Sequence, residues 1–382
     1  MTVYLDNAAT SFPKPDEVYS AVDDYQRRIG AAAGRGGYRA ARDAESLIDR
    51  ARRNVARLFG TSAARIVFTL NGTDSLNLAL HGFLRPGDHV VTTVLEHNSV
   101  LRPMAWLREH REIAVSYVPV GEDGRVSFND LRREITSSTR LVCVTHASNV
   151  TGVVQPIAEI GEMCRQQGLR FLVDAAQTAG HLAIDLANLP VDMLACPGHK
   201  GLLGPLGTGV LYLSAEMDKF VEPVRLGGTG TQSESETPPI AAPTRYEAGN
   251  LNVLGLAGLA ASTEWLLAQD AGALHRHECA LREELASGLS TIPGVTVFHA
   301  DCPETVGVLS FEVKGYGPQE VAAILDENFD IACRAGFHCA PRAHQALGTF
   351  DRGGTVRFSV GPFTQPEDIH LAIDAVRQLA AG

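Results

Sequence analysis

Between about residues 45 and 215, segments with apolar residues at helical spacing take turns with short, nearly continuous apolar runs. That alternation is the pattern of a mostly parallel sheet covered by helices, and it leaves few other architectures open. In 45–59, Leu47, Ile48, Ala51, Val55 and Leu58 share one helical face, which ends at Gly60. Residues 66–69 read as a strand, and Asn71-Gly72-Thr73-Asp74 opens a helix to Leu84 that Pro86-Gly87 stops. Further strands are predicted at 89–94, 113–118, 141–145 and 169–173, with helices at 99–109, 127–135 and 157–167 between them.

Polar residues collect directly after these runs: Glu96-His97-Asn98, His146-Ala147-Ser148-Asn149 and Asp174-Ala175-Ala176-Gln177. Open parallel sheets bind ligands beyond the carboxyl ends of their strands, so the three clusters are expected to converge on one site. Residues 227–243, rich in Gly, Ser, Thr and Pro, read as a loop. After it comes an apolar segment, 253–268, which is short for a membrane span, carries Glu264 and reads as a buried helix. From about 271 a smaller α/β unit follows, with helices predicted at 275–289, 318–327 and 366–380 and strands at 295–298, 306–313 and 356–359.

Composition excludes several function classes. A net charge of −11 offers no global positive field for a nucleic-acid backbone or an anionic membrane surface. The first residues lack the basic and apolar regions of a secretory signal, so a cytoplasmic protein is expected. Seven scattered cysteines form an odd set, which argues for reduced thiols over a disulfide framework. Lysine is scarce: Lys14, Lys200, Lys219 and Lys314 are the whole supply, so lysine-dependent chemistry has few candidates.

Lys200 lies in Cys196-Pro197-Gly198-His199-Lys200-Gly201. Flanking glycines allow close backbone approach to a bound molecule, and a lysine held away from water can lose its proton and attack an aldehyde. Pyridoxal phosphate requires such a lysine, an acidic partner for its pyridine nitrogen, and phosphate donors at a helix start. Asp174, after an apolar strand, suits the pyridine nitrogen; Gly72 and Thr73 suit the phosphate; His97 suits ring stacking or proton relay. Each also has a plainer reading, as a strand-end cap, a helix cap or a hydrogen-bonded structural histidine. Their joint order along the chain carries the assignment.

That order resembles the cysteine desulfurases of the class V aminotransferase, fold-type I pyridoxal-phosphate superfamily. The matching segments are YLDNAATS (4–11), NGTDSLN (71–77), EHNS (96–99), HASNVTG (146–152), VDAAQTAGH (173–181), GHKGLLGPLGTG (198–209), RYEAGN (245–250), RAGFHCAP (334–341) and VRFS (356–359). The resemblance implies a mostly parallel large-domain sheet with helices on both faces, spanning 15–260. A smaller α/β domain, 1–14 with 261–382, would carry the cysteine loop and a carboxylate-binding arginine. It implies Lys200 as the Schiff-base lysine, Asp174 at the pyridine nitrogen, Gln177 at the ring hydroxyl, His97 on the ring, Asn149 beside ring hydroxyl and substrate, and Thr73 and His199 on the phosphate. Two positions depart from the family. Pro197 replaces a phosphate-binding hydroxyl residue, and Asn250 replaces a threonine that reaches the partner subunit's phosphate, so a homodimer with a shared site is expected.

Cys339, in the short RAGFHCAP form that resembles group II enzymes, reads as a nucleophile, with His338 and Arg334 close by to favour the thiolate. A buried structural thiol is the plain alternative. A zinc site from Cys333, His338, Cys339 and His344 is a further one, but the spacings match no common structural zinc pattern and no metal is expected. Arg357, in an apolar strand, needs an anion, and the family places an arginine here as the clamp for the substrate carboxylate. A structural ion pair is its alternative. Tyr38 stands where relatives often have histidine and is assigned to the substrate entrance, without a catalytic role. The implied reaction converts L-cysteine to L-alanine with sulfur passed to Cys339 as a persulfide, then to an acceptor protein or small thiol. Selenocysteine lyase and cysteine or cystine C–S lyase are the alternatives within the same machinery.

Overall fold

The computed structural model describes residues 2–34, 36–232, 234–270 and 272–382. After β1 (Val3–Tyr4) come α1 (Asp16–Asp24) and α2 (Arg39–Leu58), then β2 (Ile66–Thr69), α3 (Gly72–Phe83), β3 (His89–Thr93), α4 (Asn98–Arg111), β4 (Ala114–Val118), α5 (Phe128–Glu134), β5 (Thr139–Thr145), α6 (Ile157–Gln166) and β6 (Arg170–Asp174). Strands β7 (Met193–Pro197) and β8 (Gly209–Leu213) precede α7 (Val253–Leu267). The rest comprises α8 (Ala273–Ser290), β9 (Val295–Val297), β10 (Val308–Val313), α9 (Pro318–Phe329), β11 (Ile331–Ala332), β12 (Arg334–Gly336), α10 (Pro341–Ala346), β13 (Thr355–Ser359) and α11 (Pro366–Ala381).

Seven strands form one sheet in the order β2-β8-β7-β6-β5-β3-β4. It is parallel from β7 to β4, while β8 runs antiparallel to both of its neighbours. Successive residues of its central strands bury on opposite faces. In β5, Val142 and Val144 join the core under α2, α6 and α7, whereas Leu141 and Cys143 join the core under α3 and α4. Burial on both faces is why these strands read as continuous apolar runs and not as alternating ones. The fold is therefore the α/β class expected, with a mostly parallel sheet between two helical layers.

A second core gathers Val3 and Leu5 with α8, α9 and α11 over the four-stranded sheet β12-β13-β10-β9. The amino-terminal strand pairs in parallel with β11, Val3 opposite Ile331, so the first residues lie with the last hundred. The sequence reading missed β1, β7, β8, β11, β12, α1 and α10. Residues 227–243 hold no helix or strand among the described residues; Ser233 lies outside them. No helix among the described residues is long and apolar enough to cross a membrane.

Candidate active site

The carboxyl ends of β3, β5, β6 and β7 border a cavity of about 350 Å³. In-register pairing sets Thr145 of β5 beside Asp174 of β6, and Asp174 beside Ala195 of β7. Gly72, Thr73, His97, Asn149, Asp174, Gln177, His199 and Lys200 all line the cavity. Eight of the residues singled out from the sequence thus meet in one place, although they span about 130 positions.

The turn after β7 presents Lys200. Its shape depends on glycine at 201, where a Cβ would fall 2.3 Å from the Ala179 carbonyl oxygen and 2.4 Å from the His181 ring. That ring is fixed by Glu278, whose Oε2 lies 2.7 Å from His181 Nδ1. The peptide just before Lys200 is gripped by the amino-terminal segment. The His199 carbonyl accepts from Ser11 N–H (3.0 Å), Thr10 Oγ1 (3.1 Å), Ser11 Oγ (3.2 Å) and Lys14 Nζ (3.4 Å). Burial lowers the Lys200 amine to about 8; the Arg357 and Arg334 charges push the same way, against Asp174. Asp174 is buried, which raises its pKa, while the Ala176 amide (2.9 Å) and Lys200 favour its ionised form.

Thr73 stands in the first turn of α3, where amides lack intrahelical partners and favour anions. His199 Nδ1 is buried without a hydrogen-bond partner in this wall. Pro197 packs on the same turn: a Cβ on Gly72 would sit 3.1 Å from its Cδ. A hydroxyl not singled out from the sequence is Ser99, whose Oγ lies 2.7 Å from Thr73 Oγ1. His97 Nδ1 accepts from the Ser99 amide (3.0 Å), so the imidazole carries its proton on Nε2. Burial, then the charges of Lys200 and Arg334, lower His97 to about 3, and the ring is neutral. This donor set fits pyridoxal phosphate: free amides, hydroxyls and an unpartnered imidazole nitrogen for an anion, a buried carboxylate for a basic ring nitrogen, and an amine for an aldehyde.

Cys339, Arg357 and Asn250 do not line this cavity. Cys339 sits at its rim, with Arg334 Nη2 3.6 Å from Sγ. Its loop is docked by two bonds, from the Asn98 amide to the Cys339 carbonyl (2.7 Å) and from Asn149 Nδ2 to the His338 carbonyl (2.6 Å). His338 and Cys339 are both left-handed, with φ of 47° and 60°, a conformation rare outside glycine. One expectation is corrected here. His338 is buried, its Nε2 is bonded to Thr355 (3.1 Å), and burial lowers it to about 2, so it is neutral and gives the thiolate no charge. Of the two, only Arg334 places a charged group beside the sulfur.

Arg357 is 1% exposed. Its Nη2 donates to Asp6 Oδ1 (2.7 Å) and its Nη1 to the Asn149 carbonyl (3.0 Å), while Nε is unpartnered. Antiparallel pairing sets Arg334 directly opposite Arg357, and Arg334 is the one that faces the cavity. Asp6 is a partner the sequence reading did not find. Asn250 lines a separate cavity with Arg52, Thr229 and Glu247. Tyr38 is 58% exposed and is not among the residues that line the cavity within this chain; Arg35 in the same motif lies outside the described residues. No group of three His, Cys, Asp or Glu among the described residues is arranged to hold a metal ion.

Residues 3–371 match the aminotransferase class-V family model. A probable cysteine desulfurase of Methanothermobacter thermautotrophicus is 38% identical over 99% of this chain and 94% of its own length. One of Pyrococcus abyssi is 34% identical over the same shares. Among solved structures, a cysteine desulfurase from Thermococcus onnurineus superposes with a TM-score of 0.93 at 34% identity, covering 100% of this chain and 95% of that one. A cysteine desulfurase from Escherichia coli gives 0.89 at 30% identity, covering 99% and 94%.

Proposed function

The chain belongs to the aminotransferase class-V family, and from that premise we propose that it is a pyridoxal-phosphate-dependent cysteine desulfurase, converting L-cysteine to L-alanine. One observation carries the reading: Lys200 and buried Asp174 face one cavity, and Cys339 stands at its rim with a guanidinium on its sulfur. A transaminase or simple lyase has no use for that thiol.

Lys200 would hold the cofactor covalently, Gly72, Thr73 and His199 its phosphate, and Asp174 its ring nitrogen. Bound there, pyridoxal phosphate supplies an electron sink for the substrate's α-carbon. Lys200 Nζ, with a pKa of about 8, is suited to take the α-proton near neutral pH and return a proton later. Neutral His97 lines the cavity and carries on Nε2 a proton it can donate. Arg334 and Arg357 form a cross-strand pair of cations for the substrate carboxylate. Nε of Arg357 has no partner and each Nη donates one hydrogen bond, so N–H donors remain for the substrate carboxylate beside the Asp6 and Asn149 contacts. The Cys339 thiolate then attacks the substrate sulfur: the S–S bond forms as the substrate's Cβ–S bond breaks, its electron pair passes to the carbon that takes up a proton to become the methyl group of alanine, and the sulfur stays on the enzyme as a persulfide.

Asn250 lies outside its own protomer's cavity, Leu226 and Ile240, at the start of and within the 227–243 loop region, are 71% and 84% exposed, and Leu206 of the cavity lining is 66% exposed. These observations support a homodimer in which each subunit completes the other's phosphate site. The seven cysteines are unpaired, in keeping with a reducing, cytoplasmic setting.

The deciding experiment is Cys339→Ser, with alanine and pyruvate quantified separately. The variant is expected to keep the bound-cofactor absorbance and lose alanine formation from cysteine, with partial activity retained on selenocysteine. Full alanine formation from cysteine would demote the enzyme to a general C–S lyase.

A further inference from the structure

Cys339 lines a second groove, of about 500 Å³, which shares Thr73, His97 and Ser99 with the cofactor cavity and continues across α3 and α4. The thiol therefore has two sides. One meets Arg334 and the cavity; the other opens outward along Asn77, His81, Arg102 and Trp106.

The charge along the outward side is unlike that of the whole molecule. No acidic side chain lines the groove, although the chain carries a net charge of −11. Arg102 and Trp106 are one helical turn apart on α4, so they share a face. The guanidinium of Arg111 lies 5.9 Å from the Trp106 ring centroid, the His81 ring lies tilted against the same indole at 5.2 Å, and His110 stacks on it at 4.5 Å. Among the described residues neither Arg102 nor Arg111 has an ion-pair partner. Burial and the Arg111 charge keep His81 neutral. A guanidinium without an ion-pair partner, that of Arg102, thus lines a groove that begins at the nucleophilic sulfur, with that of Arg111 beside its Trp106.

We propose that this groove binds the acceptor that discharges Cys339, and that the acceptor is a small thiol carrying a carboxylate. The role rests on the persulfide chemistry proposed above. The carboxylate pairs with Arg102, and the thiol reaches the sulfur at the inner end; 500 Å³ is within the range of small-molecule sites. The acceptor's thiolate attacks the terminal sulfur of the persulfide. A new S–S bond forms as the bond to Cys339 Sγ breaks, and the electron pair stays on Cys339 as thiolate. The products are an acceptor persulfide and the starting enzyme, with no external oxidant or reductant.

The test separates the two half-reactions. Mixing holoenzyme with no more than one equivalent of cysteine per site, so that no excess substrate thiol is left to act as acceptor, gives a single turnover of alanine (the burst), which reads persulfide formation alone. Discharge is then followed with 3-mercaptopropionate, 2-mercaptoethanol and cysteamine, each rate divided by its thiolate concentration because nucleophilicity follows ionisation. The anionic thiol is expected to be faster than the neutral one by roughly fivefold, the scale of one partly screened ion pair, and cysteamine slower than either. Arg102→Ala is expected to leave the alanine burst intact and remove the ranking. Arg102→Glu inverts it, and high salt flattens it in the unsubstituted enzyme. A ranking that is absent from the start, or unchanged in Arg102→Ala, overturns the proposal, as does discharge by a protein thiol alone. A missing alanine burst instead overturns the desulfurase reading itself.

Discussion

Because the chain has only four lysines, the depressed amine of Lys200 can be measured directly. Its pKa falls from the ordinary 10.5 to about 8. At pH 7 about one molecule in ten then carries the free amine, against about one in three thousand for an unperturbed lysine, a gain of roughly 300-fold in nucleophile. Reductive methylation with ¹³C-formaldehyde on the cofactor-free protein labels each lysine for an NMR titration. Lys14 also titrates near 8, through burial, so its resonance is assigned by Lys14→Arg. The causes predict the direction of two further shifts. Asp174→Asn removes a negative neighbour and is expected to move the Lys200 inflection below 8; Arg334→Gln removes a positive one and moves it up. An inflection above 10, or shifts of opposite sign, would refute the argument that burial and the two arginines poise this amine.

Lys200→Ala is expected to abolish the borohydride-trapped cofactor adduct, and peptide mass mapping that finds the adduct on Lys14, Lys219 or Lys314 would move the site elsewhere. Glu96, fully buried behind Asp174, is raised by burial to about 8, its Oε1 accepting from Thr93 Oγ1 and the Thr145 amide. The folded state keeps this proton between about pH 4.5 and 8 while the unfolded state releases it, so its contribution makes stability fall as pH rises. Glu96→Gln should gain on the unsubstituted protein by roughly 1.4 kcal/mol per pH unit across that window in urea titrations; parallel curves would count against a neutral Glu96. Arg52 and Glu247 form a buried bidentate pair at 2.7 and 2.8 Å, and Glu247 Oε1 also accepts from the Phe68 amide. Arg52→Ala leaves that carboxylate buried and unpaired, at a cost of about 3–5 kcal/mol by denaturant unfolding. Gly201→Ala should lower stability by about 1–3 kcal/mol and weaken cofactor loading; normal loading would mean the turn has room that the close contacts deny.

The sequence carries the site in unequal measure. Strands β3, β5 and β6 and the polar residues after them are legible because burial on two faces produces apolar runs, and the polar break marks each strand's end. The partner of Arg357 is not legible, because Asp6 lies 351 positions away and nothing in the spacing joins them. Strands β7 and β8 hide for a different reason. They are as long as β3 and β6, but the Gly- and Pro-rich turn between them draws attention to Lys200 instead. His338 misleads in a third way: a histidine beside a cysteine suggests a cation for the thiolate, and only its burial against Thr355 shows it to be neutral.

The grip of the first fourteen residues on the His199 carbonyl, and of Asp6 on Arg357, also sets a timetable for biogenesis. Strand β1 is synthesised well before its partner β11, which lies about 330 residues later. At about 5–20 residues per second, Asp6 waits roughly 20 to 70 s for Arg357. Most of the seven-stranded sheet can form in that interval, with its strand ends and the Lys200 turn unsupported. The amino-terminal segment meanwhile is an unpaired strand with two apolar residues, Val3 and Leu5, and no core to enter. Nascent chains stalled before β11 should therefore be protease-sensitive at both the Lys200 turn and the amino terminus, and acquire protection at the two places together.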